Sequence, residues 1–116
     1  MSKKLHLQAV EQAERLIKAN EVATFDADWK EEQPTPDEIN HYIDSHFMTE
    51  YGKWFLGIDA KFPKEVKEHY DYPYGDLKVV QRCALVDTIK RAEKNGDSDI
   101  VHAAKRLLEL VDKKVK

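Results

Sequence analysis

The sequence predicts an all-α fold: four main helices in a compact bundle, an aromatic, turn-rich insertion between the second and third, and an antiparallel helical hairpin at the C-terminal end. Three observations predict it. Apolar residues recur at three- and four-residue spacing through most of the chain, the period of an amphipathic helix. No segment of five or more residues alternates with β-branched content, so no strand is expected. The 116 residues, 41% hydrophobic and 35% charged, suffice for one domain with a core, residues 1–116, and are too few for two.

The first helix is expected from about Leu5 to Asn20, because Leu5, Ala9, Ala13, Leu16 and Ile17 share a face. Residues 21–34 lose that period. Phe25 and Trp29 stand there among Asp26, Asp28, Glu31 and Glu32, so an extended connector pinned by two aromatics is expected. The second helix has a clear start. Thr35-Pro36-Asp37-Glu38 has the pattern of a capping box, with proline at the first helical position and acids at the positive end of the dipole. Ile39, Tyr42, Ile43, His46 and Phe47 share its face, and it should end near Met48 to Tyr51.

In the insertion, Trp54-Phe55-Leu56 fits either a buried helical turn or a short extended piece. Phe62-Pro63 breaks it, and Lys64 to Tyr70 has room for one or two helical turns. Tyr72-Pro73-Tyr74-Gly75-Asp76 reads as a turn. The third helix is expected to open at Asp76 as N-cap and run to about Asn95. Leu77, Val79, Val80, Cys83, Ala84 and Leu85 cover most of its circumference, which places its first half at the centre of the fold. Gly96 stops it. Asp97 and Ser98 then cap a last helix from about Asp99 to Lys113, so short a connection making the two antiparallel neighbours.

Composition excludes some function classes. No run approaches the ~18 apolar residues of a membrane span, and Met1-Ser2-Lys3-Lys4 leads into no signal-peptide apolar stretch. The single Cys83 forms no internal disulfide and no cysteine zinc site. A cytoplasmic protein is expected. The net charge of −3 is unevenly placed: residues 21–50 carry nine acidic groups and one basic, whereas residues 77–116 carry ten basic and six acidic. Internal charge complementarity accounts for that asymmetry more simply than a partner does.

The segments PTPDEIN (34–40), YGKWFLGID (51–59) and YPYGD (72–76) resemble those of a group of small uncharacterised bacterial proteins, over roughly residues 30–112. The resemblance implies a bacterial cytoplasmic setting and carries no activity, ligand or catalytic residue.

No motif names a chemistry. Glu38 with His41, and Asp99 with His102, have the three-residue spacing of helical carboxylate–histidine metal sites, but surface ion pairing explains them far more simply, and no metal or other cofactor is expected. Ser2, Ser45 and Ser98 lack a nucleophile elbow. Cys83 lies on an apolar stretch, where a thiol packs rather than reacts. No catalytic residue is assigned. The basic second half is diluted by acids at a pI near 5.9, which argues against nucleic-acid binding.

What remains is the aromatic segment. Nine of the eleven aromatic residues lie between Tyr42 and Tyr74, and such side chains are enriched at interface hot spots. The expected function is a non-catalytic protein-interaction module whose surface is Trp54, Phe55, Tyr70, Tyr72 and Tyr74, rimmed by Asp59 and Asp71. The partner would be another protein or a second copy of the chain. The alternative is a small enzyme or ligand-binding protein with a pocket lined by Trp54, Tyr72 and Tyr74, using His69, Asp71 or Asp76 as polar groups.

Overall fold

Two small sheets lie among the helices, so the chain is mixed α/β rather than an all-α helical bundle. The computed structural model describes residues 3–25 and 27–115, with Val115 through its backbone alone. Ser2, Asp26 and Lys116 lie outside the described residues.

The order is β1 (Lys4–Leu5), α1 (Leu7–Lys18), β2 (Val22–Ala23), α2 (Trp29–Glu32), α3 (Pro36–Ser45), α4 (Met48–Gly52), β3 (Phe55–Ile58), a 3₁₀ turn (Lys67–His69), β4 (Tyr70–Pro73), β5 (Val80–Gln81), α5 (Arg82–Asn95) and α6 (Ser98–Val115). One sheet is antiparallel in the order β1-β3-β4, with Leu5 opposite Gly57 and Gly57 opposite Asp71. The other is the parallel pair β2-β5, with Val22 opposite Val80.

The strands were hidden by their brevity. Two to four residues are too few to display an alternation. Leu5 belongs to β1 rather than to the first helix, and His6 N–H donates to Leu56 O at 2.9 Å where the two elements meet. Of the two readings of Trp54-Phe55-Leu56, the extended one holds. The expected third helix is shorter by five residues at its start, its N-cap being Gln81 rather than Asp76. Asp76 caps no helix: its Oδ1 accepts from Lys78 N–H at 3.1 Å and Val79 N–H at 2.9 Å, which closes a turn. Leu77 then takes a left-handed φ of 71°. Val80 is apolar because β5 is buried as a strand, its N–H donating to Glu21 O at 3.0 Å.

Other expectations hold at the level of single signals. Thr35 Oγ1 accepts from Glu38 N–H at 3.2 Å while Glu38 Oε1 accepts from Thr35 N–H at 2.9 Å, the reciprocal capping box. Gly96 ends α5 with φ 76°, a conformation that costs a residue with a Cβ. The second helix is interrupted at His46 and resumes as α4.

The core is built where α1, α5 and α6 meet the antiparallel sheet. Ala9, Ala13 and Ile17 of α1 face Ile100, Ala104, Leu107 and Val111 of α6, with Leu56, Tyr72, Tyr74 and Leu85 beside them. Small residues on α1 let the helices approach closely. Gly57 does the same in β3: a Cβ there would lie 2.7 Å from Tyr72 Cδ2 and 3.0 Å from Ile100 Cδ1. By contrast, α3 buries none of its residues. With α2 and α4, which bury Trp29 and Tyr51, it forms an arm beside this core.

Candidate functional site

The seven residues expected to form one surface fall into three places. Trp54 and Tyr74 are interior. Their rings stack at 5.4 Å, Trp54 Nε1 donates to Tyr42 Oη at 3.3 Å, and Tyr74 Oη donates to Lys53 O at 2.8 Å while accepting from Gln12 Nε2 at 3.0 Å. Burial pushes the Tyr74 phenol far above its ordinary range.

Tyr72 and Asp71 belong to a second group, a closed polar latch. Tyr72 is wholly buried with a left-handed φ of 66°. Its hydroxyl donates to Asp97 Oδ2 at 2.5 Å and accepts from Asn95 Nδ2 at 2.8 Å. Asp97 Oδ1 accepts from Lys3 N–H at 2.8 Å. Two cations stand by the Tyr72 ring, Arg91 at 5.0 Å and Lys3 Nζ at 5.7 Å from its centre, and both pair with Asp71, at 2.9 and 3.2 Å. Burial raises the Asp71 carboxyl, but Arg91, the Tyr72 N–H and Lys3 outweigh it and hold the group below the usual carboxylate range. Burial and then the Asp97 bond push the Tyr72 phenol up to about 12. Each polar group here has its partner, so the latch joins Lys3, β4, α5 and the α5–α6 turn and leaves nothing directed at a ligand.

Phe55, Tyr70 and Asp59 form the third group, around the β3–β4 connection. Phe55 and Tyr70 are half-buried and meet Tyr51, with ring centres 4.8 to 6.4 Å apart. Tyr70 Oη donates to Lys64 O at 2.9 Å, and Asp59 Oδ1 accepts from Lys61 N–H at 3.0 Å. His6 lies against Tyr70 with its Nδ1 3.1 Å from Phe55 O. Its burial lowers the imidazole pKa, more than the carbonyls of Phe55 and Gly52 raise it. The aromatic surface is therefore not assembled. Trp54, Tyr72 and Tyr74 do not line a common pocket either, since their polar atoms point to Tyr42, to Asp97 and to Lys53.

Nucleophilic and metal chemistry find no arrangement. Ser45 Oγ lies 3.0 Å from His46 Nδ1, but that nitrogen also lies 2.9 Å from Tyr42 O and donates to it, so it is no base for the serine. Ser45 Oγ itself donates to the carbonyls of His41 and Tyr42. Burial, with Glu32 and Asp28 nearby, raises the Cys83 thiol, the opposite of activation. Among the described residues, no group of three or more His, Cys, Asp or Glu is placed to hold a metal ion. Four cations of the basic half are paired within the chain: Arg82 with Asp112, Arg91 with Asp71, Lys105 with Glu93 and Arg106 with Glu14.

The outer arm is different. Among the described residues, none of the carboxylates of residues 21–50 takes part in an ion pair. Glu31, Asp37, Glu38 and Asp44 are exposed. Phe47, between α3 and α4, is 76% exposed, and Phe25 55%. An open groove of about 510 Å³ runs between α3 and the Asp76–Lys78 turn. Asp37, Glu38, His41, Tyr42, Ser45 and His46 form one wall, and Asp76, Leu77 and Lys78 the other. The Tyr42 and His46 rings stack there at 3.9 Å, with planes 3° apart. A larger groove of about 630 Å³ between α2 and α5 mixes Asp28, Glu31 and Asp87 with Arg82 and Lys90 and favours neither sign. The arm carries few of the aromatics that the sequence clusters, and the acidic excess of residues 21–50 is the sequence signal that marks it. The chain matches no family model, no curated protein and no solved structure.

Proposed function

We propose that the protein is a non-catalytic interaction module that presents the α2–α4 arm to a partner protein with a basic surface. One observation carries this reading. Among the described residues, the arm's carboxylates take part in no ion pair, while Arg82, Arg91, Lys105 and Arg106 of α5 and α6 are paired with acids outside the arm. Like charges held together without partners repel one another, a cost that a basic partner relieves. Exposed Phe25 and Phe47 supply apolar area beside the charge. We place the protein in the cytoplasm, because its one cysteine is unpaired. Among the described residues, no helix is long and apolar enough to cross a membrane.

The test uses a dye-labelled basic peptide of eight alternating Lys and Arg residues, followed by fluorescence anisotropy. Wild type should bind it, more weakly as salt rises. The fourfold variant Glu31→Gln, Glu32→Gln, Asp37→Asn, Asp44→Asn should lose most of that binding. Neutralising Glu109 and Asp99 on α6 instead should change it little. Equal loss in both variants, or no binding by wild type, overturns the reading.

A further inference from the structure

We propose that the groove between α3 and the Asp76–Lys78 turn seats an extended segment of the partner, one carrying a basic side chain and, about four residues away, an aromatic one. This rests on the reading of the arm as the interaction surface and gives that surface its specificity. The groove has two chemically distinct ends. At the first turn of α3, Asp37 and Glu38 stand across from Asp76 and Lys78, and both of those charges act on Glu38. Three carboxylates against one lysine favour a cation. Glu38 Oε1 is held by the capping box, and the Asp76 oxygens by the N–H groups of Lys78 and Val79 and by Gln81 Nε2. Asp37 has no such bond among the described residues and is the carboxylate available to an incoming guanidinium or ammonium.

At the other end, Tyr42 and His46 form a flat platform. Tyr42 is fixed from below, its hydroxyl accepting from Trp54 Nε1. His46 is fixed by the bond from its Nδ1 to Tyr42 O. The imidazole is exposed and offers the face turned away from Tyr42 to a further ring. Leu77 supplies apolar contact on the facing wall. Because both walls are held by their own hydrogen bonds, little ordering remains to be done on binding.

Length sets the spacing. Glu38 lies in α3 and His46 is its C-cap, eight positions on, about 12 Å at the helical rise. An extended chain covers that in about four residues. The open side of the groove admits a chain lying along it, whereas a small molecule would be left largely in solvent.

Two peptides of equal charge and composition test the inference: acetyl-Arg-Ser-Ser-Ser-Trp-amide and acetyl-Arg-Trp-Ser-Ser-Ser-amide, titrated into ¹⁵N-labelled protein and followed by NMR. The spaced peptide should bind at least about threefold tighter and should move the amide signals of Tyr42, His46 and Leu77. Asp37→Asn should weaken it about threefold. His46→Asn, which keeps a donor for the Tyr42 carbonyl, should remove the difference between the peptides. If both bind equally with shifts spread over residues 28–50, or if neither binds while the eight-residue basic peptide does, the groove assignment falls and the arm stands. If no basic peptide binds at all, both fall.

Discussion

Tyr72 is the residue on which most of the interior polar chemistry converges. Its ring stands beside two cations and its hydroxyl joins Asp97 to Asn95, all from a left-handed backbone position. Removing only the hydroxyl leaves the buried Asp97 carboxylate short of a donor, which costs about 1–3 kcal/mol. Tyr72→Phe should therefore lower the urea midpoint with an unchanged m-value; an unchanged midpoint refutes the role. His6 gives a pH dependence. Its folded pKa lies below the ordinary 6.5, so the unfolded chain binds the proton more readily. The stability from neutral His6 is present above pH 6.5 and is lost as pH falls through the folded value. His6→Gln should flatten the decline in melting temperature below pH 6.5, and a decline as steep as in wild type would mean that other groups carry it.

At the scale of elements, α3 depends on its own signals more than on its neighbours. It buries no residue, so its stability comes from the capping box, Pro36 and the partial cover given by Ile39, Tyr42 and Ile43. Its amides should exchange with solvent through local opening, at least tenfold faster than those of α5 and α6, which pack on each other along their length. Thr35→Ala removes a cap worth about 1 kcal/mol and should speed exchange in α3 about fivefold while the melting temperature of the whole stays within a degree or two. Equal protection of α3 and α6 in wild type would contradict this picture. The contrast with β5 is instructive. Leu77 to Gln81 carry no strand signal of their own, and Val80 pairs as a strand because Glu21 and Val22 arrive beside it. The capping box of α3, by contrast, is a contact between residues three apart and was legible from the start.

For the whole molecule, charge is arranged in two ways at once. Ion pairs tie Arg106 to α1, Arg91 to β4, and Arg82 and Lys105 across α5 and α6, while among the described residues the arm's carboxylates join no ion pair. If the arm is a binding surface, its charge is kept for the partner at the expense of the free fold. The fourfold neutralised variant should then melt at the same temperature as wild type or a few degrees higher, even as it loses the basic peptide. A lower melting temperature would show that those carboxylates support the fold.

The sequence by itself determined the elements whose signals are local: the start of α3, the stop at Gly96, the two closing helices, and the uneven charge along the chain. Each depends on residues a few positions apart, and that separation is the same folded or unfolded. Only the tertiary structure decided the fold class. The strands β1, β2 and β5 are two residues long and exist because distant segments pair with them, as Leu5 does with Gly57 and Val22 with Val80. It also decided which aromatics are interior. Trp54, Tyr72 and Tyr74 have the composition of a surface hot spot and the positions of a core, for ring chemistry suits either place and only the packing around it selects one.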